Sequence, residues 1–182
     1  GAEVAHTGVM PQDADGRRDG SDALERGRAA VERREWDRGC TSLWAADADG
    51  VLSEPEDLER LALGAGLAEA AWARAHEGFA DRGDIRGAVR CAFWLGLVLV
   101  VGRGVEARGG AWLGRARRLL AEHGQQDCPE WGDVLLPDAL RALGGDEPDL
   151  AYVAFGEVVA IGERWSDEDL MVETFRDEAS AA

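Results

Sequence analysis

The chain has 182 residues, of which 36 are acidic and 20 are basic, so its net charge near neutral pH is −16. A charge of this sign repels a phosphate backbone, which disfavours direct binding to nucleic acid. The longest uncharged apolar run covers residues 91–102 and is shorter than the roughly 20 residues that a membrane-spanning helix needs, so we expect no membrane partner.

Residues 1–20 lack the positive start and apolar stretch of a secretion signal and are expected to be a flexible leader. Residues 21–182 are expected to form one domain, which is long enough to bury a sizeable core. The three cysteines are far apart and odd in number. This argues against a disulfide framework and favours a reducing compartment, the cytoplasm.

From Asp22 onward the composition is that of helices, rich in Ala, Leu, Glu and Arg, and it predicts an all-α chain. Helix starts are indicated by short polar residues answered by a carboxylate three positions on, or by Pro at the first position. The predicted starts are Asp22 with Glu25, Ser53 with Glu56, Asp84, Pro129 with Glu130, and Ser166 with Asp169.

The spacing of these starts leaves room for two helices in each interval, which approximates the 34-residue unit of tetratricopeptide (TPR) arrays. We therefore predict a TPR-like superhelix of antiparallel helix pairs, with about 8–9 helices. In the first pair, Gly27 is expected at a close helix contact, Trp36 opens the second helix, and Leu43 and Ala46 supply its buried face.

The second interval is short, and its only helix breakers are Gly64 and Gly66. Either the chain turns tightly there, or one long helix continues through Leu67 to Phe79. Two glycines inside a helix cost about 1 kcal/mol each relative to alanine, which favours the break.

Gly102, Gly104 and Ala107 fit the spacing G-x-G-x-x-A of a dinucleotide-binding turn. That motif requires a β-α-β unit with an acidic residue at the end of a second strand, and no second apolar strand follows here. An inter-helix turn is the favoured interpretation. We therefore expect Leu97 to be helical, and we expect no nucleotide or other cofactor.

The residues that carry metal or nucleophilic chemistry are not arranged in recognisable patterns. The three histidines have no ligand spacing, and the nearest approach to a metal site is His123 with Asp127 and Cys128, which is better explained as a polar loop. No G-x-S-x-G motif is present. The sequence predicts no catalytic residue and no metal site, and hence a protein that is not an enzyme.

Six of the seven tryptophans divide into two expected groups. Trp36, Trp72, Trp94 and Trp112 lie among Ala and Leu at helical spacing and are expected in the core. Trp131 and Trp165 lie beside predicted helix starts and are expected to be half exposed, where aromatic rings serve as contact residues.

Candidate binding residues come from the first helix of each pair, which lines the concave side of such arrays. Arg60, Arg86 and Arg90 project from such helices, and the last two share a face at i, i+4. Together with Trp131 they could form a groove for an acidic peptide or a small anion. The alternative, favoured by the many carboxylates, is that these arginines form internal ion pairs.

Several segments resemble the helical-repeat region of actinobacterial transcriptional regulators of the LuxR type, which are related to MalT-like proteins. They are GRAAVERREWDRG (27–39), RGDIRGAVRCAFWLG (82–96), GGAWLGRARRLL (109–120), DCPEWGDVLLPDALRAL (127–143) and AIGERWSDEDL (160–170). The resemblance implies a sensing and protein-interaction region without catalytic residues. The DNA-binding helix-turn-helix of that family has no counterpart here.

Two classes of function remain after these observations. The first is a non-enzymatic helical-repeat module that binds a protein, a peptide or a small regulatory ligand and is linked to bacterial transcriptional regulation. The second is a small enzyme or small-molecule-binding protein of bacterial metabolism, with a pocket between helix pairs. A homodimer is also possible, because the end of a repeat array leaves an apolar face to cover.

Overall fold

The computed structural model describes residues 13–64, 69–145 and 147–166. This part of the chain contains eight α-helices and no strand, which confirms the all-α prediction. The helices are α1 (Asp13–Glu32), α2 (Trp36–Ala48), α3 (Pro55–Gly64), α4 (Glu69–Asp81), α5 (Ile85–Leu97), α6 (Glu106–Glu122), α7 (Pro129–Gly144) and α8 (Pro148–Trp165).

The chain divides into two compact units, with the boundary between Ala68 and Glu69. In the first unit, α1 and α2 form a helical hairpin and α3 packs on α2. In the second unit, α5 packs on both α4 and α6, and α7 and α8 form another hairpin. Each interval between the predicted starts therefore contains two helices, as its length suggested.

Most of the predicted helix starts are found. Asp84 caps α5 by accepting a hydrogen bond from the Gly87 backbone N–H at 3.0 Å, and Pro129 is the first residue of α7. The start at Asp22 is wrong, because α1 already begins at Asp13, inside the segment expected to be a flexible leader. The other residues of the expected leader, 1–12, lie outside the described residues.

The predicted helix start at Ser166 concerns a helix whose residues, from 167 onward, lie outside the described residues, and Ser166 itself is the residue at which α8 ends. Its φ is 54°, the left-handed conformation that commonly terminates a helix, and its backbone N–H donates to the Glu163 carbonyl. Asp169, the other half of the predicted capping box, lies outside the described residues. The polar side chain of Ser166 is therefore compatible with either helix end, and the sequence pattern alone does not distinguish them.

The glycine at the end of α3 marks a tight contact within the first unit. A Cβ atom built on Gly64 would overlap the Cys40 sulfur, so a larger residue there would require the Cys40 side chain to move. The described part of α3 ends at this residue, and residues 65–68, where the alternatives of a break and a continuous helix would be distinguished, lie outside the described residues. Gly27 also behaves as predicted, since a Cβ there would approach Leu43 to 2.9 Å.

The segment with G-x-G-x-x-A spacing is a turn between two helices. Leu97 is helical, as expected, and Val98–Gly102 continues α5 as a π-helical turn. Gly104 then takes a φ of 65°, and the Val105 N–H donates to the Leu99 carbonyl at 2.8 Å before α6 begins. Because helices flank the motif on both sides, it lacks the strands that a dinucleotide site requires.

Two glycines set the distance between α5 and α6. A Cβ on Gly109 would lie 2.7 Å from the Gly96 carbonyl oxygen and 2.5 Å from the Val100 side chain. A Cβ on Gly96 would lie 2.7 Å from Leu113. The two helices therefore approach each other closely at Gly109, whereas Gly110 faces open space.

Fewer of the tryptophans are buried in the core than the sequence predicts. Trp72 is buried, but Trp36 and Trp94 are exposed, which corrects the assignment of both to the core. Trp36 is the first residue of α2 and has no preceding turn to pack against. Trp94 lies four residues after Arg90 and eight after Arg86, on the solvent-facing stripe of α5. Trp112 is half-buried against the core of the second unit.

Residues Ile85–Gly102 are long and apolar enough to cross a membrane by length and composition, but half of this window is buried within the protein. The same stretch carries Arg86 and Arg90, whose charges are neutralised by a neighbouring helix. Half burial and paired charges are features that core helices of folded proteins share.

We predict that Gly109→Ala destabilises the fold by about 1–3 kcal/mol, because the added methyl group meets the backbone of α5. Gly110→Ala is the matched control, and it is expected to be neutral or stabilising by up to about 1 kcal/mol, since alanine favours the helix and nothing obstructs its Cβ. Urea denaturation measures both variants, and equal effects would contradict the close crossing.

Candidate functional site

A buried carboxylate at the start of α7 brings together two of the predicted binding residues. Glu130 is only 5% exposed. Its Oε2 accepts a hydrogen bond from Arg86 Nε at 2.7 Å, and its Oε1 lies 3.5 Å from Arg90 Nη1. The position of Glu130 in the first turn of the helix also stabilises its negative charge. The i, i+4 pair on α5 thus fastens α7 to α5.

The first unit contains a second arrangement of the same kind. Asp57 in the first turn of α3 is 1% exposed, and both of its oxygens accept from Arg28 Nε, at 3.1 and 3.0 Å. Arg60 Nη1 donates to Asp57 Oδ1 at 2.9 Å. Arg28, which sequence reasoning did not select, therefore joins α1 to α3. We call the Asp57 and Glu130 arrangements the two carboxylate clamps.

The three candidate arginines are therefore committed to internal contacts. The hydrogen bond from Arg86 to Glu130 raises the pKa of the Arg86 guanidinium, which keeps its charge at any ordinary pH. Arg60, Arg86 and Arg90 remain partly exposed at their outer edges. Their primary contacts are nevertheless those of the favoured alternative, the pairing of these arginines with the chain's own carboxylates.

The fourth candidate, Trp131, lines a groove that runs along the α7 and α8 hairpin. The groove consists of two adjoining depressions of about 600 and 320 Å³ that share Glu157. We call it the α7–α8 groove. Its apolar lining is Trp131, Leu135, Leu150, Val153, Ile161 and Trp165.

The apolar residues of the groove cluster at its two ends. At one end Trp131 packs against the core of the second unit, and Trp165, 42% exposed, lies beside it. At the other end Leu150 and Val153 are each 60% exposed. Large apolar side chains that are exposed together in one groove are typical of surfaces that bind another molecule.

The charged lining of the groove is only partly neutralised. Asp127 pairs with Arg164 at 2.8 Å, and Asp138 pairs with Arg141 at 2.6 Å and also with Arg117. Partial burial acts to raise the pKa of Asp138, but the hydrogen bonds from Arg117 and Arg141 outweigh it and the pKa lies below its usual value.

Two further carboxylates of the groove differ from these. Glu147 and Glu157 are exposed and make no side-chain ion pair with any residue that the structure describes. They leave the groove with unneutralised negative charge.

His76 is fully buried between α4, α5 and α6. Its Nδ1 donates to the Ala88 carbonyl at 2.7 Å, its ring contacts Trp112 edge to face, and its Nε2 has no partner among the described residues. Burial lowers the pKa of His76, and it outweighs the hydrogen bond to the Ala88 carbonyl, which acts to raise that pKa. The ring is therefore neutral at physiological pH.

The three residues that came nearest to a metal site make separate contacts. The His123 ring bonds to the Leu119 carbonyl, Asp127 pairs with Arg164, and the Cys128 thiol donates to the Gln125 carbonyl. Burial raises the pKa of Cys128, which keeps it as a thiol. Within the described ranges, no three His, Cys, Asp or Glu side chains are grouped to hold a metal ion.

Sequence reasoning missed most of the exposed apolar surface. Leu150 and Val153 follow Pro148 on the outer face of α8, and Trp44 on α2 is 57% exposed. Helical periodicity places residues 150, 153, 157 and 164 on one face of α8, but it does not show that this face is left uncovered.

Comparisons with known proteins give one partial match. No protein-family model matches the chain, and no solved structure does. A protein described as glycogen synthase from Paracidovorax citrulli (strain AAC00-1) is 37% identical over 139 residues, which is 74% of this chain. The chain spans about a quarter of the length of that relative.

We predict that Arg86→Ala lowers the free energy of unfolding by about 2 kcal/mol, because it removes a charged hydrogen bond from the buried Glu130. The exposed Arg164–Asp127 pair provides the control, and Arg164→Ala should cost less than about 1 kcal/mol. Chemical denaturation of both variants tests the clamp. Equal costs would show that the buried pair contributes no more than a surface pair.

We also predict that stability falls as the pH drops below about 6.5, the pKa of an unperturbed histidine. Because the pKa of His76 is lowered in the folded protein, protons bind the unfolded chain first and favour unfolding. Unfolding free energies measured between about pH 7.5 and about pH 5.5 should show this slope. His76→Gln should reduce it, and the His76 ring signals in NMR spectra should still report a neutral ring at pH 6.5. A ring half-protonated at that pH would contradict the burial argument.

Proposed function

We propose that this chain is a non-enzymatic helical-repeat module that binds a protein partner or a regulatory ligand in the bacterial cytoplasm, in the context of transcriptional regulation. The observation that carries the proposal is the α7–α8 groove, with exposed apolar side chains at both ends. Exposed leucine, valine and tryptophan side chains along one groove favour an interaction surface over ordinary solvated exterior.

The pairing, burial and pKa shifts of the titratable groups support a binding function rather than a catalytic one. A general acid or base needs a perturbed carboxylate or histidine that is open to a substrate. The buried carboxylates Asp57 and Glu130 are neutralised by internal arginines, and His76 is enclosed. Among the residues that line the groove, Cys128 is the only nucleophile, and its pKa is raised.

The resemblance of the helical segments to LuxR-type regulators supports the same class of function. In that family the repeats sense signals and bind other proteins. The helix pairs of this chain follow the expected intervals, and the matching segments fall on α1 and α2, on α5, and on α6 to α8.

A second candidate function takes its support from the match to glycogen synthase. The chain would then bind a glucan or another small metabolite in a pocket between helices, either alone or as part of a longer protein. Trp131 and Trp165 at one end of the groove provide the aromatic surfaces that small-molecule pockets commonly use.

Photo-crosslinking tests the proposed function. Because the chain has no lysine, amine-reactive reagents are unsuitable, and benzoylphenylalanine is better placed at Ala160, which is exposed on α8 and lines the groove. In bacterial lysate we expect crosslinks to a small set of proteins that excess unlabelled chain suppresses. The same substitution at Trp44 on α2 serves as the control. A lack of competed crosslinks, together with saturable quenching of tryptophan fluorescence by maltoheptaose, would replace the protein-binding proposal with the glucan-binding one.

A further inference from the structure

The α7–α8 groove carries a charge pattern that restricts what can occupy it. Four carboxylates and two arginines line it, and both arginines are already paired. Glu147 and Glu157 are the two carboxylates without an ion pair among the described residues. Glu157 lies between the two apolar ends, where the adjoining depressions meet.

Two occupants from this chain itself fit the charge poorly. A second copy has the same net charge of −16, and antiparallel pairing of two α8 helices about their centres would bring Glu157 close to its own counterpart. Residues 167–182 contain six acidic residues and one basic residue. A like-charged segment of this kind would be repelled by the unpaired carboxylates.

The distance between the two apolar ends of the α7–α8 groove indicates which kind of segment could bind in it. From Leu150 to Trp165 the axis of α8 covers about 22 Å at 1.5 Å per residue. A helix of about 15 to 18 residues laid along the groove spans this distance. Such a helix would present apolar residues near both of its ends and a polar residue at the middle of the same face.

We propose that the α7–α8 groove binds a basic amphipathic helix of a partner protein. Its apolar residues contact Trp131 and Trp165 at one end and Leu150 and Val153 at the other, and an arginine or lysine at its centre pairs with Glu157. This is the helix-in-groove mode of recognition. The inference rests on the proposed function, because it specifies the partner of the same module.

Two designed peptides test the proposal on the intact chain. The first is an 18-residue helical peptide, labelled with fluorescein, with leucines near both ends of one face and arginines at its centre and edges. The second replaces the arginines with glutamates. By fluorescence anisotropy we expect the arginine peptide to bind at least about ten-fold more tightly, with an affinity that falls as salt is added.

Variants of exposed residues locate the binding site. Leu150→Ser with Val153→Ser should reduce affinity about ten-fold or more, since these side chains form one apolar end. Glu147→Gln with Glu157→Gln should weaken binding of the arginine peptide several-fold and flatten its salt dependence. Trp44→Ser in the first unit is the control and should leave binding unchanged, because that side chain is similarly exposed but lies outside the groove.

Specific results would overturn the proposal. These are equal binding of the two peptides, binding that the groove variants do not change, or sedimentation showing a dimer that Leu150→Ser and Val153→Ser dissociate. If neither peptide binds but competed crosslinks from the Ala160 position persist, the basic-helix assignment fails while the proposed function stands.

Discussion

The packing of both units depends on carboxylates that are buried at helix starts and held by arginines from other helices. A lone buried carboxylate would be costly, so the arginines of α1 and α5 must lie where Asp57 and Glu130 emerge. In the second unit, the need to pair the buried Glu130 with arginines of α5 holds the first turn of α7 against α5. Trp131 is the next residue after Glu130, so the same contact also sets one wall of the α7–α8 groove.

The clamps also explain why charged residues were misleading as guides to function. An arginine pair at i, i+4 on a helix is a natural candidate for binding an anion. Here the anion is Glu130, which follows Arg86 by 44 residues, and Arg28 is separated from Asp57 by 29. Sequence spacing does not reveal such pairs, because it is the folding of one helix against another that brings them together.

What could be predicted from the sequence was mainly local. Asp84 and Pro129 mark helix starts through backbone chemistry that acts within one turn, and Gly104 marks a turn because its φ is positive. The exposure of Trp36 and Trp94 and the apolar ends of the groove depend on which helix faces are covered by neighbours. Periodicity identifies one apolar face of α8, but it does not show that Leu150 and Val153 on the opposite face remain uncovered.

The use of arginine alone as the basic residue makes the clamps insensitive to alkaline conditions. A guanidinium group does not release its proton under any condition that a cell provides, whereas a lysine in the same place could be neutralised by burial. The hydrogen bonds to Asp57 and Glu130 raise the pKa of Arg28 and Arg86 further. The helices that meet at the two clamps therefore stay joined under alkaline conditions in which a buried lysine would have lost its charge.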